Sequence, residues 1–270
     1  MKRILYILSA ILLLAACTEK MAPEGAVNTI CASLEQVGTK SALDGQDVVW
    51  SGGDKIKVYN ASTPEGKIYT LTSGAGTTLG TFSSDDPVTG AGPYEAVYPA
   101  DAVTGEWPSF VVSIPEQQNY AADSFASGTN ISLANGNDPA CLLFHNACGI
   151  LRLTIRGDKT IDHIVVSPLL YEPITGGFQL SMTQNPLILL PPDGLNHPPV
   201  TLACGPGGVA LTEDGVDFHF VLPANTLDSG FQAVVYDTDG GSMTLKGVSR
   251  FCRINRAQIR PMDPFTYAPD

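Results

Sequence analysis

Charge is what this chain has least of. Asp, Glu, Lys and Arg make up 16% of its 270 residues, against about 25% in ordinary soluble domains. Cations are the scarcer kind: 15 Lys and Arg face 27 Asp and Glu, and no arginine stands between Arg3 and Arg152. A surface so poor in positive charge excludes nucleic-acid binding through the phosphate backbone. Stretches free of helix breakers are also missing. The 27 Gly and 20 Pro punctuate the whole chain, and beyond its leader the longest run without either is Val248 to Arg260. That excludes a helical bundle. The usual catalytic patterns are absent as well: no Gly-x-Ser-x-Gly elbow, no phosphate-cradling loop with its Lys, and no His-Glu-x-x-His. His145, His163, His197 and His219 lie far apart, each reading as a surface or hydrogen-bonded side chain, with His219 predicted on the outward face of its strand. No enzyme, metal or cofactor is expected. With 44% hydrophobic residues the chain nonetheless has enough apolar surface for a core, and the composition is that of an exported all-β protein.

The leader is an address. Lys2 and Arg3 precede an uncharged apolar run, Ile4 to Ala16, too short to span a bilayer comfortably and arranged as the n-region and h-region of a secretory signal. Leu14-Ala15-Ala16-Cys17 then matches a bacterial lipobox. Small residues admit the signal peptidase, and the thiol of Cys17 can take a diacylglyceryl group through a thioether. Residues 1–16 are therefore expected to be removed and Cys17 to be the lipid attachment site. At roughly 0.8 kcal/mol per buried methylene, two or three acyl chains anchor a protein for good. Residues 17–26 are polar, contain Pro23 and Gly25, and read as a tether.

Past the tether, short runs alternate apolar and polar residues, the pattern of strands with one face buried. Ile56 and Val58 alternate with Lys55 and Lys57; Leu151, Leu153 and Ile155 with Arg152, Thr154 and Arg156; Val216, Phe218, Phe220 and Leu222 with Asp217 and His219; and Phe231, Ala233 and Val235 begin another such run. Asp44-Gly45, Asn135-Gly136, Asp193-Gly194, Asp214-Gly215 and Asp239-Gly240 supply the left-handed backbone that hairpin turns need. Ala121 to Ala140 is small and polar and reads as a linker or long connection, which places a domain boundary near residue 140.

Four features invite a functional reading. Asp237-Thr238-Asp239-Gly240-Gly241 resembles the start of a calcium loop, but it lacks the third ligand and the distal Glu; a hairpin turn accounts for it better. Gly205-Pro206-Gly207-Gly208 lacks the Lys and the helix that phosphate binding needs and reads as a loop. Trp50, Tyr94, Tyr98 and Trp107 could stack on sugar rings or pack in the core; Trp50 is assigned to the core, while Trp107, beside Gly105 and Pro108, is left open between the core and exposure on a loop. Once Cys17 is lipidated, Cys31, Cys141, Cys148, Cys204 and Cys252 remain. An odd set allows at most two internal disulfides, and small buried thiols are the plainer reading.

A distributed pattern adds to this. Thr39-Lys40-Ser41-Ala42-Leu43-Asp44-Gly45, Val49-Trp50-Ser51-Gly52-Gly53-Asp54-Lys55-Ile56, Tyr94-Glu95-Ala96-Val97-Tyr98-Pro99, Ile114-Pro115-Glu116-Gln117-Gln118, Phe144-His145-Asn146-Ala147-Cys148-Gly149-Ile150-Leu151-Arg152-Leu153, Val221-Leu222-Pro223-Ala224 and Ile254-Asn255-Arg256 occur in that order. In this the chain resembles the fimbrillin-like lipoproteins of the protease-assembled (type V) pili of Bacteroides-type bacteria. The resemblance implies an all-β chain of two transthyretin-like β-sandwich domains in tandem, 27–140 and 141–270. It also implies outer-membrane anchoring through Cys17 and partnership with other pilus subunits by strand exchange, in an adhesive role that could include a host or glycan ligand. In that scheme a protease removes the first strand, about Val27 to Gln36, and a neighbour's terminal strand fills the groove; the corresponding tail here is Met262 to Asp270. Without an arginine near the first strand, Lys40 is the candidate processing residue. An uncut chain keeps its lipid, which suits a basal anchor or accessory subunit. The alternative is a surface lipoprotein that binds glycans or acts as an adhesin without polymerising.

Overall fold

The computed structural model describes residues 25–35, 48–140, 142–181, 188–190, 198–246 and 252–269. Among these there is no α-helix, and the architecture is all-β. In chain order the strands are β1 (Thr29–Leu34), β2 (Lys55–Asn60), β3 (Thr63–Ser73), β4 (Leu79–Ser83), β5 (Tyr94–Tyr98), β6 (Val103–Glu106), β7 (Ser109–Ile114), β8 (Gln117–Ala121), β9 (Ser124–Phe125), β10 (Ser132–Gly136) and β11 (Leu142–Asn146). They continue with β12 (Cys148–Arg156), β13 (Thr160–Pro168), β14 (Gly176–Ser181), β15 (Ile188–Leu190), β16 (Val200–Ala203), β17 (Val209–Ala210), β18 (Val216–Pro223), β19 (Phe231–Asp237), β20 (Ser242–Lys246), β21 (Ile259–Pro261) and β22 (Phe265–Thr266).

The first sheet closes on itself as a barrel in the order β1-β11-β10-β5-β2-β3-β4. Alternation places Ile30, Ala32, Leu34, Ile56, Val58, Phe82 and Phe144 in its interior. The later strands form two facing sheets, β18-β12-β21 with β22 beside β12, and β20-β19-β13-β16-β8-β9 with β17 beside β13. Leu151, Leu153, Ile155, Phe218, Phe220, Leu222, Phe231, Ala233 and Val235 point into the core between them, as their alternation predicts. A third core lies between barrel and sandwich, where Tyr59, Val97 and Leu133 from the barrel's outer face meet Phe110, Val112, Phe178, Ile150 and Val221. Tyr59 stacks on Phe110 at 4.9 Å.

The two halves of the sequence interleave. Strand β7 pairs antiparallel with β14 (Phe178 opposite Val112), and β8 pairs parallel with β16 (Thr201 opposite Gln117). Gln118 is buried and caps the free edge of β18: its amide donates to Val221 O at 2.7 Å and accepts from Val221 N–H at 2.9 Å. This supplies the partners that a buried strand edge requires.

Several expectations change. Ala121 to Ala140 is not an unstructured connection, since it contains β9 and β10. Strands β10 and β11, on either side of residue 140, are hydrogen-bonded neighbours in the barrel, and the change of sheet falls at Ala147. Asn135-Gly136 lies inside β10, opposite Glu95 and Tyr94. The chain reverses later, where the carboxylate of Asp138 accepts from Ala140 N–H at 2.8 Å as an Asx turn. His219 is buried, not outward, because the second face of β18 lies against the strands that the first half contributes. Asp239-Gly240 does make the β19–β20 hairpin, and Gly240 has φ 91°, which favours glycine. Asp44-Gly45 and Asp193-Gly194 lie outside the described residues.

Candidate functional site around the first strand

Strand β1 is the stave that closes the barrel. It pairs antiparallel with β4 over Thr29–Ser33 and parallel with β11 at Ala32, Ser33 and Leu34. Beyond the strand ladder, Cys31 N–H donates to Pro139 O at 3.0 Å, Leu34 N–H to Thr78 O at 2.9 Å and Glu35 N–H to Phe144 O at 2.8 Å. Ile30, Ala32 and Leu34 face inward and are buried, worth about 1.5–3 kcal/mol for each large side chain. The start of the segment is pinned by Tyr69, whose hydroxyl donates to Val27 O at 2.6 Å and accepts from Val88 N–H.

Trp50 sits over the middle of β1, in the core as predicted. Its indole N–H donates to Ala32 O at 3.3 Å, and its ring meets Phe82, Tyr98 and Phe144 edge-on at 4.9, 5.2 and 5.6 Å. Opposite Ala32 lies Gly80, where a Cβ would come within 2.7 Å of Trp50 Cδ1. The missing side chain at Gly80 thus makes room for the indole.

The end of β1 is held by charge. The guanidinium of Arg256 donates to both carboxylate oxygens of Glu35 and to Asn146 O at 3.1 Å. Asn146 N–H donates to Glu35 Oε2 at 3.0 Å, and its side-chain amide donates to Glu35 O at 3.0 Å. His145 Nδ1 lies 3.7 Å from Glu35 Oε1. Partial burial, the largest single influence, pushes the Glu35 carboxyl up. Arg256, the Asn146 N–H and His145 together outweigh it, so the group sits below its ordinary 4.5 and is held as the anion. Glu35 is not among the residues that the sequence singles out. Its partners lie inside two motifs already quoted, His145-Asn146 and Asn255-Arg256, but sequence separations of 111 and 221 residues leave no spacing to read.

Cys17 and Lys40, the predicted lipid and processing residues, lie outside the described residues, as does Cys141. The predicted tail is docked in the sandwich: Met262 N–H donates to Arg152 O at 2.9 Å, β22 runs parallel to β12, and Tyr267 O–H donates to Asp237 Oδ2 at 3.0 Å. Asp237 is otherwise used by its own hairpin, accepting from Asp239 N–H and Gly241 N–H at 2.9 and 2.7 Å. The other acid of the calcium-like motif, Asp239, pairs with Lys159 at 3.0 Å.

The four aromatics do not form one surface. Trp50 and Tyr94 are buried, and Trp107 is half-buried against the middle core. A cavity of about 350 Å³ lies beside Trp50, lined among others by Tyr98, Asp123, Asn130, Ser132 and His219. Burial lowers the His219 pKa, more than nearby Asp217 raises it. The thiols of Cys31, Cys148, Cys204 and Cys252 are free. Burial pushes those of Cys148 and Cys204 up to about 12, which withholds the reactive thiolate.

The family model that matches is the prokaryotic membrane lipoprotein lipid attachment site, over residues 1–18. A lipoprotein lipid attachment site is thus present at the residues that include Cys17. No curated protein matches the sequence. Among solved structures, a candidate cell adhesion protein from Bacteroides ovatus aligns with a TM-score of 0.54 and 11% identity, covering 89% of this chain and 92% of its own. A second, from Bacteroides uniformis, aligns at 0.48 and 12%, covering 89% and 94%. A fimbrial protein from Bacteroides ovatus aligns at 0.36 and 10%, covering 88% of this chain and 50% of its own. The first carries the fold comparison: the all-β architecture expected from the fimbrillin-like resemblance is similar to that of this Bacteroides ovatus structure.

Proposed function

We propose that this chain is a non-enzymatic lipoprotein of the cell surface, held in the outer membrane by acyl chains on Cys17. It acts as a fimbrillin-like pilus component that docks its neighbours by strand exchange and serves adhesion. The observation that carries the reading is the position of β1. It is a single strand that closes a barrel, lies close in sequence to the lipidated end, and is followed by the segment containing Lys40. Removing it would uncover the edges of β4 and β11 together with the sites filled by Ile30, Ala32 and Leu34. Such a groove is what a donated strand recognises, through backbone hydrogen bonds and alternate side-chain pockets.

Within that function, an anchor or accessory subunit is preferred to a stalk subunit. No arginine stands between Arg3 and Arg152, so an arginine-directed protease has nothing to cut beside β1. The uncut subunit keeps its lipid, and a neighbour's strand then enters by displacing β1 from its place between β4 and β11 rather than by filling a vacancy. Glycan binding by a non-polymerising lipoprotein is the weaker reading, because Trp50 and Tyr94 are buried and offer no ring face to a sugar.

Intact mass and N-terminal identity of the protein extracted from cell-surface fractions test the proposal. A lipidated Cys17 terminus on an otherwise full-length chain is the expected result. A terminus at Ser41 in assembled filaments overturns the anchor assignment, and an unlipidated chain overturns the membrane attachment through Cys17.

A further inference from the structure

The edges of β4 and β11 offer only N–H and C=O groups, which accept any extended strand. What discriminates between strands is the row of side-chain sites between those edges. Two of these sites are selective in ways the remaining apolar ones are not.

The first is at Ala32. The side chain is 1% exposed and lies opposite Gly80, where a Cβ would already come within 2.7 Å of the Trp50 indole, and that indole donates to Ala32 O. Phe82, Tyr98 and Phe144 surround that indole edge-on, so it cannot swing aside without disturbing the barrel core. The second is at Glu35. Arg256 and the Asn146 N–H converge on its carboxylate, and both belong to parts of the chain that would stay behind if β1 left. They would then form a cationic corner with no anion in it, and a buried donor left unpaired is costly.

On the strand-exchange reading proposed above, we infer that the site of β1 selects a partner strand with a small residue at the register of Ala32 and a carboxylate at that of Glu35. It excludes the Phe265–Asp270 segment of other copies of this chain. Consider that segment, Phe265-Thr266-Tyr267-Ala268-Pro269-Asp270, running in the direction of β1. Placing Asp270 at the register of Glu35 puts Tyr267 on the Ala32 site. The same alignment puts Pro269 at Leu34, whose N–H donates to Thr78 O at 2.9 Å and which proline cannot replace. Sliding the segment to bring Ala268 onto the Ala32 site puts Asp270 at Leu34, a charge in the apolar interior. Neither register fits, so the partner is a different chain carrying the small-then-acidic pattern.

The test uses the full chain with a single recognition sequence for a site-specific protease placed between Gly38 and Ser41, cut after folding. Fluorescent peptides compete with the retained first strand in mild denaturant, and anisotropy reads their binding. The peptide Val27–Gln36 is expected to enter. Its Glu35→Gln form should bind roughly fivefold more weakly. Its Ala32→Tyr form and the peptide Met262–Asp270 should each lose roughly tenfold or more. In protein carrying Arg256→Gln, the native and Glu35→Gln peptides should bind alike, a convergence that general loosening of the fold would not produce. Equal entry of all four peptides into the unsubstituted protein overturns the selectivity while leaving strand exchange standing. Failure of every peptide, the native one included, overturns strand exchange itself.

Discussion

The first strand and the closing strand are both short and both lie parallel to a neighbour, yet the fold holds them differently. Strand β1 has partners on each side and completes a closed barrel. Strand β22 meets β12 at only two registers, Ile155 opposite Phe265 and Arg156 opposite Thr266, on the outer edge of an open sheet. Losing an edge strand exposes a new edge where one already existed. Losing a stave turns a barrel with no edge into a groove with two. Only the first of these two strands has a departure that would create a binding site.

The sharpest way to break this contrast is to remove each strand in turn. Stripping β1 from the nicked chain should cost at least about 3 kcal/mol, from the exposed sites of Ile30 and Leu34, and should raise dye binding to apolar surface. Truncation before Phe265 should cost less and leave the barrel's own unfolding transition in place. Equal losses in denaturant melts would show that the strands are not distinct.

Next in size is the comparison of neighbouring residues on β1. Ala32→Tyr should destabilise by about 1–3 kcal/mol through overpacking against Trp50. Ser33→Ala, whose side chain points away from the barrel interior, should stay within about 0.5 kcal/mol. Chemical denaturation followed by tryptophan fluorescence, with Trp107 replaced by Phe so that Trp50 reports alone, reads both.

Glu35→Gln should cost about 1 kcal/mol, discounted for the partial exposure of the pair. It should combine non-additively with Arg256→Gln. The sign of its pH dependence follows from the lowered carboxyl. Its contribution is fully present above the ordinary value of 4.5 and is lost as pH falls through the lower folded value. Stability of the unsubstituted chain should therefore drop on acidification in a range where Glu35→Gln stays flatter. The smallest effect is expected at the other strand. Tyr267→Phe removes the hydroxyl that reaches Asp237, which should cost up to about 1 kcal/mol and leave peptide entry at the β1 site unchanged.

Much of this fold is legible in particular residues. The alternation of Leu151, Leu153 and Ile155, of Phe218, Phe220 and Leu222, and of Ile56 and Val58 places each on a buried face, because a strand's two faces follow a period of two. Trp50 lies in the core and the Asp239-Gly240 turn makes a hairpin, both as their local sequence predicts. His219 departs from its predicted place for a reason the same rule cannot contain: alternation says which side of β18 it occupies but not that another layer covers that side. Asn135-Gly136 has the composition of a turn and is strand because β5 is there to pair with it. The Glu35 corner is illegible, since its parts are scattered over most of the chain.

Local chemistry, then, settled the lipid-attachment motif at the start of the chain, the inward and outward faces of individual strands and the turn at Gly240, since each depends on residues within a few positions of one another. Long-range pairing settled the rest. Hydrogen bonding between β7 and β14 and between β8 and β16 interleaved the two halves, and closure of the barrel on β1 brought Arg256 to Glu35. Strand edges accept many partners, and which one they take depends on how the buried surfaces of the whole chain pack together.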